Sequence, residues 1–256
     1  MKIAVLVKQV PGGESALPMN SLQNWVDESS VTYVMNPPDN YAIEEALLIK
    51  EGLEDCEVVI VSMGPQRVQK VIREGLAKGA DRAIHIEEDI YIEKDPLVIA
   101  RCFAKVLAEE NFDLIFTGLQ SDDTGMGQTG VLLGEMLGMS TATLAVETNI
   151  LDGYIKVKRE LESGWFQRLK LPLPASISIQ SGLNTPRYPS LKGIMGAKKK
   201  EVKSVLRSEI STESSAQSMD RIFIPTNSKQ TEVIDGDVDQ SVGRIIEILK
   251  SEIKVI

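Results

Sequence analysis

One histidine and two cysteines are all that this 256-residue chain offers of the side chains most used in nucleophilic and metal chemistry. His85 falls in an apolar strand pattern, Ala83–Ile86, which argues against His-based triads and His-ligated metals. It is expected to be a satisfied or exposed strand residue. Cys56 and Cys102 lie far apart without metal-ligand spacing, so both are expected to be reduced structural thiols. No apolar run approaches the ~20 residues that a bilayer span needs. A basic excess is also missing: the formal net charge is −9, which argues against general nucleic-acid binding. The N-terminal MKIAVLVKQV lacks the charged start, long apolar middle and small-residue cleavage site of a signal peptide. It reads as a first strand, and a cytoplasmic protein is expected.

What is present alternates. Ile3–Val7 is a near-continuous apolar run, as a buried parallel strand requires. Tyr41–Lys50 reads as a helix with Ala42, Ala46 and Ile49 on one face, and Glu57–Ser62 as the next strand. Pro65 opens a helix, Ala83–Ile86 is a short strand, and Asp95-Pro96 caps and starts a helix running to about Glu110. Asp113–Thr117 is a further buried strand, followed by a Gly-rich turn and a helix from about Gly127 to Leu137. This order predicts an α/β fold, a mostly parallel twisted sheet with helices on both faces. Strand patterns at 141–148, 154–159, 165–171 and 175–180 are expected to extend the sheet as antiparallel edges or hairpins. Residues 1–200 are expected to form one domain. Residues 201–256 read as an extended arm ending in an amphipathic helix with Val238, Val242, Ile245, Leu249 and Ile253 on one face. That helix packs on its own domain or on a partner.

Three strand ends would converge on one crevice, where open parallel sheets bind ligands. The first carries Leu6 and Lys8, the second Met63 and Gly64, and the third the turn GLQSDDTGMGQTG at 118–130. Small residues in that turn admit backbone N–H groups to a phosphate, and the following helix N-terminus favours an anion. Gln128 and Thr129 supply further donors, whereas Asp122 and Asp123 would repel a phosphate unless they point elsewhere. The turn is neither a Walker A loop nor GxGxxG. Asn36-Pro37-Pro38-Asp39 precedes a helix that Asp39 or Asn40 can cap. Each piece by itself also fits a plain strand-to-helix turn. Together they outline an adenine-nucleotide pocket built mostly from backbone.

A second feature is LNTPRYPSLKGIMGAKKK, residues 183–200, which has the period of neither helix nor strand. Leu183, Tyr188, Leu191, Ile194 and Met195 are too apolar for a merely solvated loop, and Lys192 and Lys198–Lys200 add cations to an acidic chain. It reads either as a docking surface or as a Pro-rich connector whose apolar residues tuck into their own core.

This string resembles the recognition loop of electron transfer flavoprotein beta subunits. VKQV, MNPPDNYAIEEAL, VSMGP, GADRAIHI, the 118–130 turn and VKRELESGWFQRLKLPLPA resemble other segments of that family, in its order. The resemblance covers residues 1 to about 200. It implies an adenine-nucleotide-hydrolase-like fold, pairing with an alpha subunit that holds most of the redox FAD, and AMP bound structurally in the beta subunit. The AMP positions would be Leu6, Lys8, Asn36, Pro37, Pro38, Asp39, Met63, Gly64, Ser121, Asp122, Asp123, Thr124, Gly125, Met126, Gly127, Gln128, Thr129, Gly130, Val131 and Leu132. The loop would seat the protein on acyl-CoA dehydrogenases and related flavin dehydrogenases of fatty acid oxidation, with Leu191 as apolar anchor beside Tyr188, Ile194, Met195 and Lys199. Electrons would pass on to a quinone reductase or other acceptor, the only link to a membrane.

Some family members place a second FAD in the beta site and bifurcate electrons from NADH. Their loop reads like QAxDGDTAQVGP, where Gly125-Met126 and Thr129-Gly130-Val131 stand here. Those departures favour AMP. Gly13 also replaces an aromatic found near the shared flavin in some members. Other classes fit less well. An ATP-pyrophosphatase would need Ser-Gly-Gly-x-Asp-Ser where Pro11-Gly12-Gly13-Glu14-Ser15 stands, and a nucleotide-sensing stress-type protein leaves 183–200 unexplained.

Overall fold

A computed structural model of the chain describes residues 1–88, 95–210, 214–225, 231 and 233–256. It divides into two units, Met1–Asp220 and Arg221–Ile256.

The first unit is built on a nine-stranded sheet. Its strands are β1 (Lys2–Leu6), β4 (Glu57–Gly64), β5 (Arg82–Glu87), β6 (Leu114–Gly118), β7 (Ser140–Leu151), β8 (Tyr154–Glu160), β9 (Phe166–Pro172), β10 (Ala175–Ile179) and β11 (Val202–Leu206). The order across the sheet is β11-β5-β4-β1-β6-β10-β7-β8-β9. From β11 to β7 neighbours run parallel, and only β8 and β9 join antiparallel. A separate hairpin-like pair, β2 (Gln9–Pro11) and β3 (Tyr33–Met35), flanks the end of β1.

Both faces of the parallel part are buried, which is why β1 and β4 read as apolar runs. Ile3 and Val5 pack on one side with Ile43, Leu47, Ile72 and Leu76 of helices α1 (Pro37–Glu51) and α2 (Gln69–Lys78). Ala4 and Leu6 pack on the other with Val98, Phe103 and Leu133 of α3 (Pro96–Leu107) and α4 (Thr129–Met136). Asp95 caps α3 as expected, its carboxylate accepting from the Leu97 N–H.

Three expectations are corrected. Ala175–Ile179 is not an antiparallel extension; β10 lies parallel between β6 and β7 and is wholly buried. Its Ser-alternating pattern looks half-solvated, but Ser176 Oγ donates to the Gly130 carbonyl at 2.8 Å, and Ser178 Oγ accepts from the Leu144 N–H at 3.4 Å. Residues 202–206, read as part of an arm, instead form β11 against β5. The α1 helix begins earlier, at Pro37, with Asn36 rather than Asp39 or Asn40 at its N-cap.

The second unit carries α6 (Val238–Glu247), opened by a capping box between Asp237 and Gln240 and continued by a wider turn, Ile248–Glu252. None of the residues of α6 is buried. Among the described residues no helix is long and apolar enough to cross a membrane.

Candidate functional site: a strand-end cleft and a presented loop

The strand order reverses around β1 and β6, so a crevice opens beyond their carboxyl ends. An open cleft sits there. Leu6, Lys8, Asn36, Asp39, Met63, Ser121, Asp123, Thr124, Met126, Gly127, Gln128, Thr129 and Gly130 all line it. Pro37, Pro38, Gly64, Asp122, Gly125, Val131 and Leu132 lie outside the lining. Pro38 is buried under Gly118, and Asp122 is exposed.

Asn36 ties the cleft together. Its N–H donates to the Lys8 carbonyl at 2.9 Å, and its side-chain amide donates to Asp39 Oδ1 and the Gln120 carbonyl, each at 2.9 Å. Its Oδ1 accepts from the Asp122 N–H at 3.1 Å. Asp39, also buried, accepts from the Lys8 N–H at 2.7 Å. Burial pushes the Asp39 carboxyl up to about 7, against the bonds from Asn36, Lys8 and Gly118. Because the folded value lies above the unfolded one, stability from this group is full below about pH 4 and is lost as pH rises through about 7. Asp39→Asn is therefore expected to flatten the melting-temperature profile over that window; an unchanged slope would contradict the assignment.

The two acidic residues of the turn part ways: Asp122 is exposed to solvent, and Asp123 is paired. Lys8 Nζ pairs with Asp123 at 2.7 Å and reaches Ser121 Oγ at 3.2 Å and Thr124 Oγ1 at 3.4 Å. Burial works against the charged Asp123 carboxylate, but Lys8 and the Ser121 and Thr124 bonds outweigh it and hold the group below the usual range. Gly125 and Gly127 take φ of +64° and +63°, the left-handed turn that lets the segment fold back toward α4. Among the described residues no side chain caps α4, which leaves its first N–H groups open to an anion.

Sequence reasoning missed one wall of this cleft, formed by Gln9, Trp25, Glu28, Tyr33 and Arg67. The Arg67 guanidinium stacks 3.7 Å from the Tyr33 ring centroid, bonds Gln9 Oε1 at 2.6 Å and pairs with Glu28 at 3.2 Å. Burial, reinforced by Glu28, pushes the Tyr33 phenol up to about 12. Residues 12–32 carry no period that would have flagged them. His85 stands below, buried and satisfied: its Nε2–H donates to the Gly64 carbonyl at 2.9 Å, and Nδ1 accepts from Gln69 at 3.0 Å. Among the described residues no cluster of three His, Cys, Asp or Glu is placed to hold a metal.

The 183–200 segment is bolted down at both ends. Arg187 forks onto Glu44 at 2.8 and 2.9 Å and reaches Glu51 at 2.5 Å, while Asn184 bonds the Tyr41 carbonyl and Glu45 on α1. At the other end Arg73 binds the carbonyls of Ala197 and Lys200, and Lys200 Nζ caps the Leu76 and Ala80 carbonyls at the end of α2. Between them, contrary to the absence of period in the sequence, lies α5 (Leu191–Ala197), N-capped by Ser190. Leu183 and Ala197 pack on the core, as the connector reading requires. Tyr188, Leu191 and Met195 do not; they are 94%, 82% and 73% exposed, with Ile194 at 44% and Lys199 also exposed. Arg187→Ala, which leaves the buried Glu44 unpaired, should cost about 2–3 kcal/mol in chemical denaturation, with Arg187→Lys recovering part of it.

The chain that carries this presented segment and, separately, the strand-end cleft has relatives among known proteins. The pattern described as the Electron transfer flavoprotein domain matches residues 23–209. This chain belongs to the electron transfer flavoprotein family. It is 36% identical to the electron transfer flavoprotein subunit beta of Methylophilus methylotrophus, over 97% of this chain and 98% of that one. It is 41% identical to the subunit beta of Bradyrhizobium diazoefficiens over 79% and 80%, and 31% identical to that of Bacillus subtilis over the full length of both. Within the electron transfer flavoprotein match fall β3 through β11, the 118–130 turn and the presented α5 segment.

Proposed function

We propose that the chain is the beta half of a heterodimeric electron transfer flavoprotein. In this reading it passes electrons from flavin dehydrogenases of the acyl-CoA dehydrogenase type to a quinone reductase or other acceptor, and works in the cytoplasm. An alpha subunit would hold most of the redox FAD, and the flavin supplies the redox chemistry. The observation that carries the reading is α5, held by Arg187 and Lys200 while Leu191 and Met195 project from it and Tyr188 from the segment before it. Such a pre-ordered apolar anchor spends little conformational entropy on docking.

AMP fits the cleft. The uncapped N-terminus of α4, with Gln128 and Thr129, would hold the phosphate. Lys8 neutralises Asp123, so the site presents no net carboxylate repulsion there. Leu6 and Met63 offer apolar surface to a base, and Asn36 and Asp39 hold the walls. A second FAD with NADH oxidation is the competing reading. Mixing the purified heterodimer with a reduced acyl-CoA dehydrogenase should bleach its flavin absorbance, whereas NADH alone should not. Reduction by NADH and not by the dehydrogenase would overturn the reading.

A further inference from the structure

The antiparallel end of the sheet carries a charge pattern that sheet energetics disfavour. In the β8–β9 register Lys156 stands opposite Lys170 and Lys158 opposite Arg168. Like charges set directly across a pair of strands are destabilising. The strands cannot turn over to relieve them, because Ile155 and Val157 on the reverse face are buried in the core. Lys156, Arg168 and Lys170 are exposed, on a chain whose formal net charge is −9.

Tyr154 and Phe166 bracket the same face. Lys170 Nζ lies 4.0 Å from the Tyr154 ring centroid and Lys158 Nζ 4.2 Å from that of Phe166, which keeps the ammonium groups spread over the surface. Glu147 approaches Arg168 at 3.5 Å, but both side chains are more than half exposed, and such a pair contributes little. Lysines often guard an edge strand against unwanted pairing. That explains cations on β9, the last strand in the order, and Glu147 of β7 stands opposite Lys158; neither accounts for Lys156, which faces Asn149 on one side and Lys170 on the other.

We propose that this face binds an acidic segment of a partner polypeptide. The four cations supply charge complementarity, while Tyr154, Phe166 and the neighbouring Trp165, 73% exposed, offer the aromatic contact typical of protein interfaces. A nucleic acid would meet the repulsion of the acidic remainder of the chain. The surface is also distinct from α5, which packs on α2 at the β4–β5 side of the sheet.

The test uses the full-length chain and a fluorescein-labelled oligoglutamate peptide, followed by anisotropy, beside a single-stranded DNA of matched charge. Lys156→Gln with Lys170→Gln should weaken peptide binding by about tenfold or more, as should raised salt. Lys156→Glu, which sets an opposite charge across from Lys170, should weaken binding while raising the melting temperature. Equal peptide affinity in the neutralised variant, a lower melting temperature for Lys156→Glu, or tighter binding of the DNA than of the peptide would each overturn the proposal.

Discussion

Leu191→Ala is expected to slow electron transfer from a partner dehydrogenase by about ten- to a hundredfold at limiting concentration, the factor that corresponds to removing about 1.5–3 kcal/mol of apolar contact. The side chain is 82% exposed in the free chain, so its loss takes little from the fold, within about 0.5 kcal/mol. The two readouts therefore separate. Nucleotide content and melting temperature should stay constant while the apparent KM for the dehydrogenase rises. Unchanged transfer at limiting concentration would remove Leu191 from the docking surface. Arg187 provides the contrast, because its truncation frees the same segment at a cost in stability.

Gly118→Ala is expected to empty the cleft. A Cβ at this position would meet Asp39 Oδ1 far inside van der Waals contact and would sit 2.8 Å from Pro38 Cβ. Neither neighbour can yield: Pro38 is fixed in the first turn of α1, and Asp39 is held by Asn36 and the Lys8 N–H. The start of α1 must then move away from the 118–130 turn, and Asn36 loses its hold on the Gln120 carbonyl. Overpacking of this kind costs about 1–3 kcal/mol. Bound nucleotide should fall by about tenfold or more, read by chromatography of the denatured protein, because each 1.4 kcal/mol is about a factor of ten. Normal nucleotide content in a folded Gly118→Ala variant would show that the cleft tolerates the shift.

The parts of the fold legible in the sequence are those with a local cause. The apolar runs at Ile3–Val7 and Glu57–Ser62 announce parallel strands, and Asp95-Pro96 announces a helix start, because burial on two faces and capping leave marks within a few residues. The β10 placement was not legible. Its serines look solvated until Gly130 and Leu144, distant in sequence, supply their partners. Nor was α5, a single short helix that contains Gly193 and Gly196 and follows two prolines; the contacts that fix it come from α1 and α2.

The cleft divides the same way. Its Gly-rich turn and strand ends could be read from the chain, whereas the Lys8–Asp123 pair and the Gln9–Arg67–Glu28 wall join residues far apart in sequence. Asn36 is the instructive case. The sequence sets it ahead of a helix capped by Asp39 or Asn40, but it occupies the N-cap itself, and its side chain bonds the Asp39 carboxylate and reaches across the cleft to Gln120 and Asp122 instead of capping a helix N–H.

The most direct test is a nucleotide count. The heterodimer is purified, denatured, and its released nucleotides are separated and quantified by absorbance. AMP together with about one FAD per heterodimer is the expected result, with the cleft of this chain as the AMP site. A second FAD in place of AMP would contradict it and assign the cleft to bifurcating chemistry.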